Sequence, residues 1–148
     1  MSPATLDPSD SINPDEVNDR ELMASPASKS ETLLEAYERD KSYKNLVPLL
    51  EREFKTKQFL DLLEHSEEGI SHFPAQPYLY LMKGTALIQL RKNGEAAEVL
   101  QEGLDYLIDD PEMEYRFMEQ LSLSFKAMGD NKKATEYYNK AQEIKQQS

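Results

Sequence analysis

The sequence has no cysteine and no tryptophan, only five glycines among 148 residues, and no apolar run approaching the ~20 residues a membrane-crossing helix needs. Without cysteine there is no disulfide framework, no thiolate metal site and no cysteine nucleophile. So few glycines argue against a sandwich or barrel with many tight turns. Basic residues are outnumbered: 17 Lys and Arg against 28 Asp and Glu give a formal net charge of −11. That sign opposes nucleic acid as a partner, because each neutralised phosphate requires a nearby cation. The opening residues, Met1-Ser2-Pro3-Ala4-Thr5, have neither the basic head nor the apolar middle of a secretory signal. The expectation is a soluble cytoplasmic chain with no membrane insertion, or a periplasmic one if an upstream export segment is missing.

What is present divides into two parts. Residues 1–30 hold four of the eight prolines, six serines, six acidic side chains and two basic ones. Such a segment buries too little apolar surface to offset the ~1–2 kcal/mol per residue of backbone entropy that ordering costs. It is expected to be a disordered acidic tail. From Thr32 onward the apolar residues recur at helical spacing, for example Leu46, Leu49, Leu50 and Phe54, then Phe59, Leu62 and Leu63. The pattern predicts an all-α domain over 31–148 with helices near 32–39, 45–56, 58–72, 77–91, 95–107, 112–128 and 132–146. Asn45 is the expected cap of the helix carrying Pro48 in its first turn, and Asp110 of the helix that follows Pro111.

The helices repeat. Glu68-Gly69-Ile70 and Glu102-Gly103-Leu104 lie 34 residues apart, and at the same offset Leu50 aligns with Gly84 and Leu62 with Ala96. Gly84 to Ser122, Ala96 to Ala134 and Gly103 to Ala141 are each 38. The four extra residues fall mainly between Gly103 and Pro111, eight residues against five from Gly69 to Pro74. Small side chains at Gly69, Gly84, Ala96, Gly103, Ala134 and Ala141 let helix axes approach, while Tyr80, Leu87, Leu100, Met118, Phe125 and Tyr138 fill the adjoining space. A 34-residue helix pair with this pattern resembles the tetratricopeptide repeat. The resemblance is best in the last unit, through Ala127-Met128-Gly129-Asp130-Asn131-Lys132-Lys133-Ala134, Tyr137-Tyr138 and Lys140-Ala141. The first unit departs from it, with Leu50 at the small crossing position, and Lys83 in the middle unit replaces an apolar residue.

The resemblance implies a right-handed superhelical solenoid of three units, about 43–76, 77–114 and 115–148. Its concave side, lined by the first helix of each pair, is where this family binds peptide or helical segments of other proteins. Carried over position by position, that side comprises Lys44, Val47, Glu51 and Phe54, then Tyr78, Leu81, Thr85 and Ile88, then Arg116, Glu119, Leu123 and Lys126. Relatives that clamp a chaperone's terminal carboxylate use Lys, Arg and Asn at places held here by Val47, Glu51, Leu81, Thr85, Glu119 and Leu123. The expected groove is instead anchored by Tyr78, Leu81 and Ile88.

Other chemistry finds little support. His65 and His72 flank Glu68 on one helix, but a closed metal site wants three or four converging ligands. Asp109, Asp110 and Glu112 lack the alternating ligands and turn glycine of a calcium loop and read as helix capping. No phosphate-cradling glycine loop or nucleophile with a base beside it is evident. The reading is therefore a non-enzymatic adaptor or scaffold without cofactor or metal, whose partner is a peptide or helix of another protein. Two alternatives stand beside it. One is a small acidic secretion-type chaperone; the other is the structural end piece of a larger repeat array, or a chain that self-associates through its end helices.

Overall fold

The computed structural model describes residues 30–147, so the expected disordered tail lies almost wholly outside the described residues. Among the described residues there are seven helices and no strand: α1 Leu33–Arg39, α2 Tyr43–Lys55, α3 Phe59–His72, α4 Pro77–Gln89, α5 Asn93–Leu104, α6 Pro111–Ala127 and α7 Asn131–Gln147. They divide between Arg52 and Glu53 into two compact units. The boundary falls inside α2, so the expected first repeat, 43–76, is split by it.

In the first unit, α1 starts on a capping box. Glu35 N–H donates to Thr32 Oγ1 at 3.1 Å, and Thr32 N–H to Glu35 Oε1 at 2.9 Å. Asn45 does not cap α2, contrary to expectation. The helix begins two residues earlier, with the Asn45 N–H donating to Ser42 Oγ at 3.2 Å. The Asn45 amide donates instead to the backbone oxygens of Asp40 and Ala36. Pro48 is thus the sixth helical residue rather than a first-turn one.

In the second unit each helix packs on the next, α3 on α4, α4 on α5, α5 on α6 and α6 on α7, and α4 also packs on α6. Contacts between α4 and α6, two helices apart, are what stacking of successive pairs requires. The small residues sit where this packing is tightest. Gly69, Gly84, Ala96, Gly103, Ala134 and Ala141 are all buried. A Cβ at Gly84 would lie 2.5 Å from Leu100 Cγ, and one at Gly103 would overlap Tyr80 Cβ and approach Phe117 Cε1 to 2.9 Å. Ser122, which takes the place of Gly84 in the last pair, donates its hydroxyl to the Ala134 carbonyl at 2.8 Å. Ser124, fully buried where Ser122 is half-buried, donates to the Asn93 carbonyl at 2.8 Å and ties α6 to the start of α5. Lys83, at the expected apolar position, is half-buried with its ammonium 3.5 Å from Glu67.

The turn within each pair is built alike. Lys57 (φ 60°), Arg91 (φ 65°) and Gly129 (φ 84°) share the left-handed region. Each is followed by an N–H that reaches five residues back: Gln58 to the Glu53 carbonyl at 2.8 Å, Lys92 to Leu87 at 2.8 Å and Asp130 to Phe125 at 2.9 Å. These turns are spaced 34 and 38 residues apart, the offsets of the sequence repeat. Only the last has glycine, the residue that adopts this conformation without steric cost. Arg91→Gly should therefore stabilise the chain by about 1 kcal/mol in urea unfolding. An unchanged or lower midpoint would mean the Arg91 side chain contributes contacts that outweigh the backbone gain.

The loop between α5 and α6 takes up the inserted residues. Helix α5 ends at Leu104, three residues before the expected end, and Tyr106 turns its ring to Tyr80 with centroids 5.3 Å apart. Asp110 caps α6 as expected, its Oδ1 accepting the Met113 N–H at 3.1 Å with Pro111 in the first turn.

Candidate binding face between α6 and α7

The expected groove residues do not share one exposed surface. Leu81 is 1% exposed and Thr85 5%, so both belong to the core, and an open groove anchored on Leu81 is corrected. Both stand on α4, against which α3, α5 and α6 all pack, so that helix keeps little exposed surface. Tyr78, Ile88 and Arg116 are half-buried, and Phe54, Glu119, Leu123 and Lys126 are exposed. Lys44 is exposed on α2, with Val47 and Glu51 half-buried there.

Two of the expected residues, Glu119 and Leu123, do come together. With Ser122, Tyr138, Ala141 and Gln142 they line a depression of about 240 Å³ between α6 and α7. Leu123 is 49% exposed and Tyr138 56%. Tyr138 was expected to fill the core and does not; its equivalent one pair earlier, Leu100, is fully buried. Gln120 also lines it, and subtracting the offset of 38 from the seven residues gives Leu81, Met82, Gly84, Thr85, Leu100, Gly103 and Leu104. In the middle pair all of this set but half-buried Leu104 is buried: α6 packs on both α4 and α5, and the Phe117 ring lies over Gly103. The depression is thus an uncovered copy of a face that, one pair earlier, is filled by a helix.

The opposite side of the last pair is already occupied. Phe125 and Tyr137 stack with centroids 5.6 Å apart, Lys133 lies 5.2 Å over the Phe125 ring and Lys140 5.1 Å over Tyr137. Those rings and their cations stiffen α7 against α6 while Leu123 and Tyr138 face outward.

The two histidines serve different ends. His72 Nδ1 lies 3.0 Å from the Glu68 carbonyl of its own helix, whereas His65 Nδ1 lies 2.6 Å from Glu53 Oε2. Glu53 is buried, and among the described residues its other oxygen has no hydrogen-bond partner. The bond to Glu53 raises the imidazole above its ordinary 6.5, and burial raises the carboxyl above 4.5. Asp61 and Glu64, on the same helix as His65, push both in the same direction. Both groups hold protons more tightly folded than unfolded, so this contribution to stability is complete at low pH. The imidazole part begins to fall near pH 6.5 and is lost as pH rises through the higher folded value. His65→Gln, which keeps a donor but does not titrate, should flatten the fall of the unfolding midpoint above pH 6.5. His65→Ala should cost about 1–3 kcal/mol by leaving a buried carboxylate unsatisfied. A wild-type midpoint that rises across this range would contradict the pairing.

Residues 115–148 match the family model of the tetratricopeptide repeat. The match spans α6, the Gly129 turn and α7, so the chain carries a tetratricopeptide repeat in its last helix pair. It is an all-α helical-repeat protein, and that repeat points to a protein–protein interaction module. No curated protein matches the chain. Among the described residues, no helix is long and apolar enough to cross a membrane.

Proposed function

We propose that the chain is an adaptor that holds a helix or peptide of another protein on the open face between α6 and α7, contributing binding surface rather than chemistry. One observation carries this reading: the face lined by Leu123, Tyr138 and Ala141 repeats one that α6 itself covers in the preceding pair. Leu123 and Tyr138 supply apolar anchors, and Glu119 and Gln142 a polar rim that fixes orientation. Lys126 and Arg116 lie on α6 in the same row as Glu119 and Leu123 and offer charge contacts to an acidic flank. Tyr78 and Ile88, half-buried on α4, and exposed Phe54 are proposed as secondary contacts of a longer segment.

Leu81→Asp cannot test this, because a carboxylate at a 1% exposed site would unfold the chain. Leu123→Asp alters an exposed side chain and should leave helical content unchanged. In affinity capture from native extract it should lose at least about tenfold of any partner retained by the wild type, equivalent to ~1.4 kcal/mol. Undiminished capture by Leu123→Asp and by Tyr138→Ser would remove the assignment of this face.

A further inference from the structure

The loop that carries the insertion leaves an apolar surface uncovered, away from the face just described. Ile108 stands in it 82% exposed, and exposed Tyr106 lies two residues before it. Beside them is a second depression, of about 460 Å³, where Leu104, Leu107 and Met118 meet Asp109, Asp110 and Glu114. Met118 is buried and the two leucines are half-buried, so the apolar part lies deeper than exposed Asp109. Asp109 holds φ at 48°, where the chain turns directly after Ile108.

The charge around this surface is of one sign. From Asn93 to Tyr115 there are eight acidic residues and no lysine or arginine. Glu95, Glu98 and Glu102 are exposed along α5, Asp105 and Asp109 along the loop, and Glu112 at the start of α6. A single-sign field of this kind attracts cations and rejects anions before contact is made. The field decides among occupants. Residues 1–30, with six acidic and two basic side chains, carry the same sign as this surface. A second copy of a chain with net charge −11 would also meet repulsion.

We infer that the α5–α6 loop and the outer side of α5 form a second docking surface, for a basic amphipathic segment of another protein that packs an apolar side chain against Ile108 and Leu107 while its Lys or Arg residues face Glu98, Glu102 and Asp105. This surface is separate from the α6–α7 face and does not depend on it. The two together would let one chain bridge two proteins, the α6–α7 face selecting by apolar shape and the loop by charge.

The test uses the whole chain and a fluorescein-labelled 18-residue amphipathic helix of Lys and Leu, with a twin in which Glu replaces Lys. Fluorescence anisotropy should show saturable binding of the basic peptide, weakening as salt rises, and none of the acidic twin. Ile108→Ser should weaken binding at least about tenfold, and Glu98→Gln/Glu102→Gln/Asp105→Asn by a similar factor. Glu136→Gln/Glu143→Gln on α7, which removes as much charge per site elsewhere, should change it less than about twofold, and Leu123→Asp should leave it unchanged. Circular dichroism of each variant should match the wild type, since every substituted side chain is exposed. Equal binding by Ile108→Ser would mean unspecific charge attraction and would overturn the inference. Absence of binding, binding of the acidic twin, or a dimer in light scattering that Ile108→Ser dissolves would do so as well, the last assigning the loop to a second copy.

Discussion

Phe117→Ala should cost about 3–5 kcal/mol, a large part of the ~5–15 kcal/mol that holds a domain of this size. Phe117 is fully buried, and its ring closes over Gly103 where α6 packs on α4 and α5. Because such arrays are held by nearest-neighbour interfaces, the damage should be local first. Amide exchange should accelerate along α6 and α7 before α3. Tyr138→Ala, which truncates an aromatic of similar size, should shift stability by no more than about 0.5 kcal/mol, because that ring faces solvent. Equal losses from the two substitutions would contradict the assignment of covered and uncovered faces.

Gly103→Val should destabilise at the upper end of the roughly 1–3 kcal/mol that overpacking costs. The obstacle is the nature of what a Cβ meets. Tyr80 Cβ is bound directly to the α4 backbone and cannot swing aside, and the Phe117 ring blocks the other side. Tyr80 is itself pinned, its hydroxyl donating to the Pro74 carbonyl at 2.7 Å, with burial pushing the phenol up to about 12. Alanine at 103 would recover about 1 kcal/mol of helix propensity yet meet the same Tyr80 Cβ, so a smaller net loss is expected. Urea unfolding of Gly103→Ala and Gly103→Val, compared at constant m-value, reads both. A neutral Gly103→Val would mean that the helices do not touch there.

Most of the fold was legible because it is local. The 3.6-residue periodicity located all seven described helices to within three residues at either end, and the 34- and 38-residue offsets located the inserted loop. Where the sequence reading failed, a longer-range fact decided. Ser42 rather than Asn45 caps α2 because the Asn45 amide finds the carbonyls at the end of α1. The left-handed turns at Lys57 and Arg91 carry no glycine to announce them, although alignment with Gly129 at the repeat offsets would have revealed them.

The candidate site was half legible for a related reason. The repeat resemblance gives Leu81 and Thr85 the same concave role as their equivalents Glu119 and Leu123. It does not tell which pair has a helix lying over it. Thr85 and Leu100 are buried in the pair on which α6 packs, while Leu123 and Tyr138, their equivalents, are open. Tyr138 was placed in the core on the strength of its family position. The signal against it is the polarity of α7, whose sequence from Asn131 to Gln147 has no large apolar residue besides Tyr137, Tyr138 and Ile144.

If the proposed α6–α7 face accepts a helix as the α4–α5 face accepts α6, a helix with the α6 sequence should bind there. The most direct measurement is a titration of the ¹⁵N-labelled chain with a synthetic, helix-stapled peptide of residues 109–128, which contains α6 itself and presents Phe117. Amide shifts should centre on Leu123, Tyr138 and Ala141 and disappear in Leu123→Asp. Silence at these positions with excess peptide, or shifts confined to α3, would contradict it.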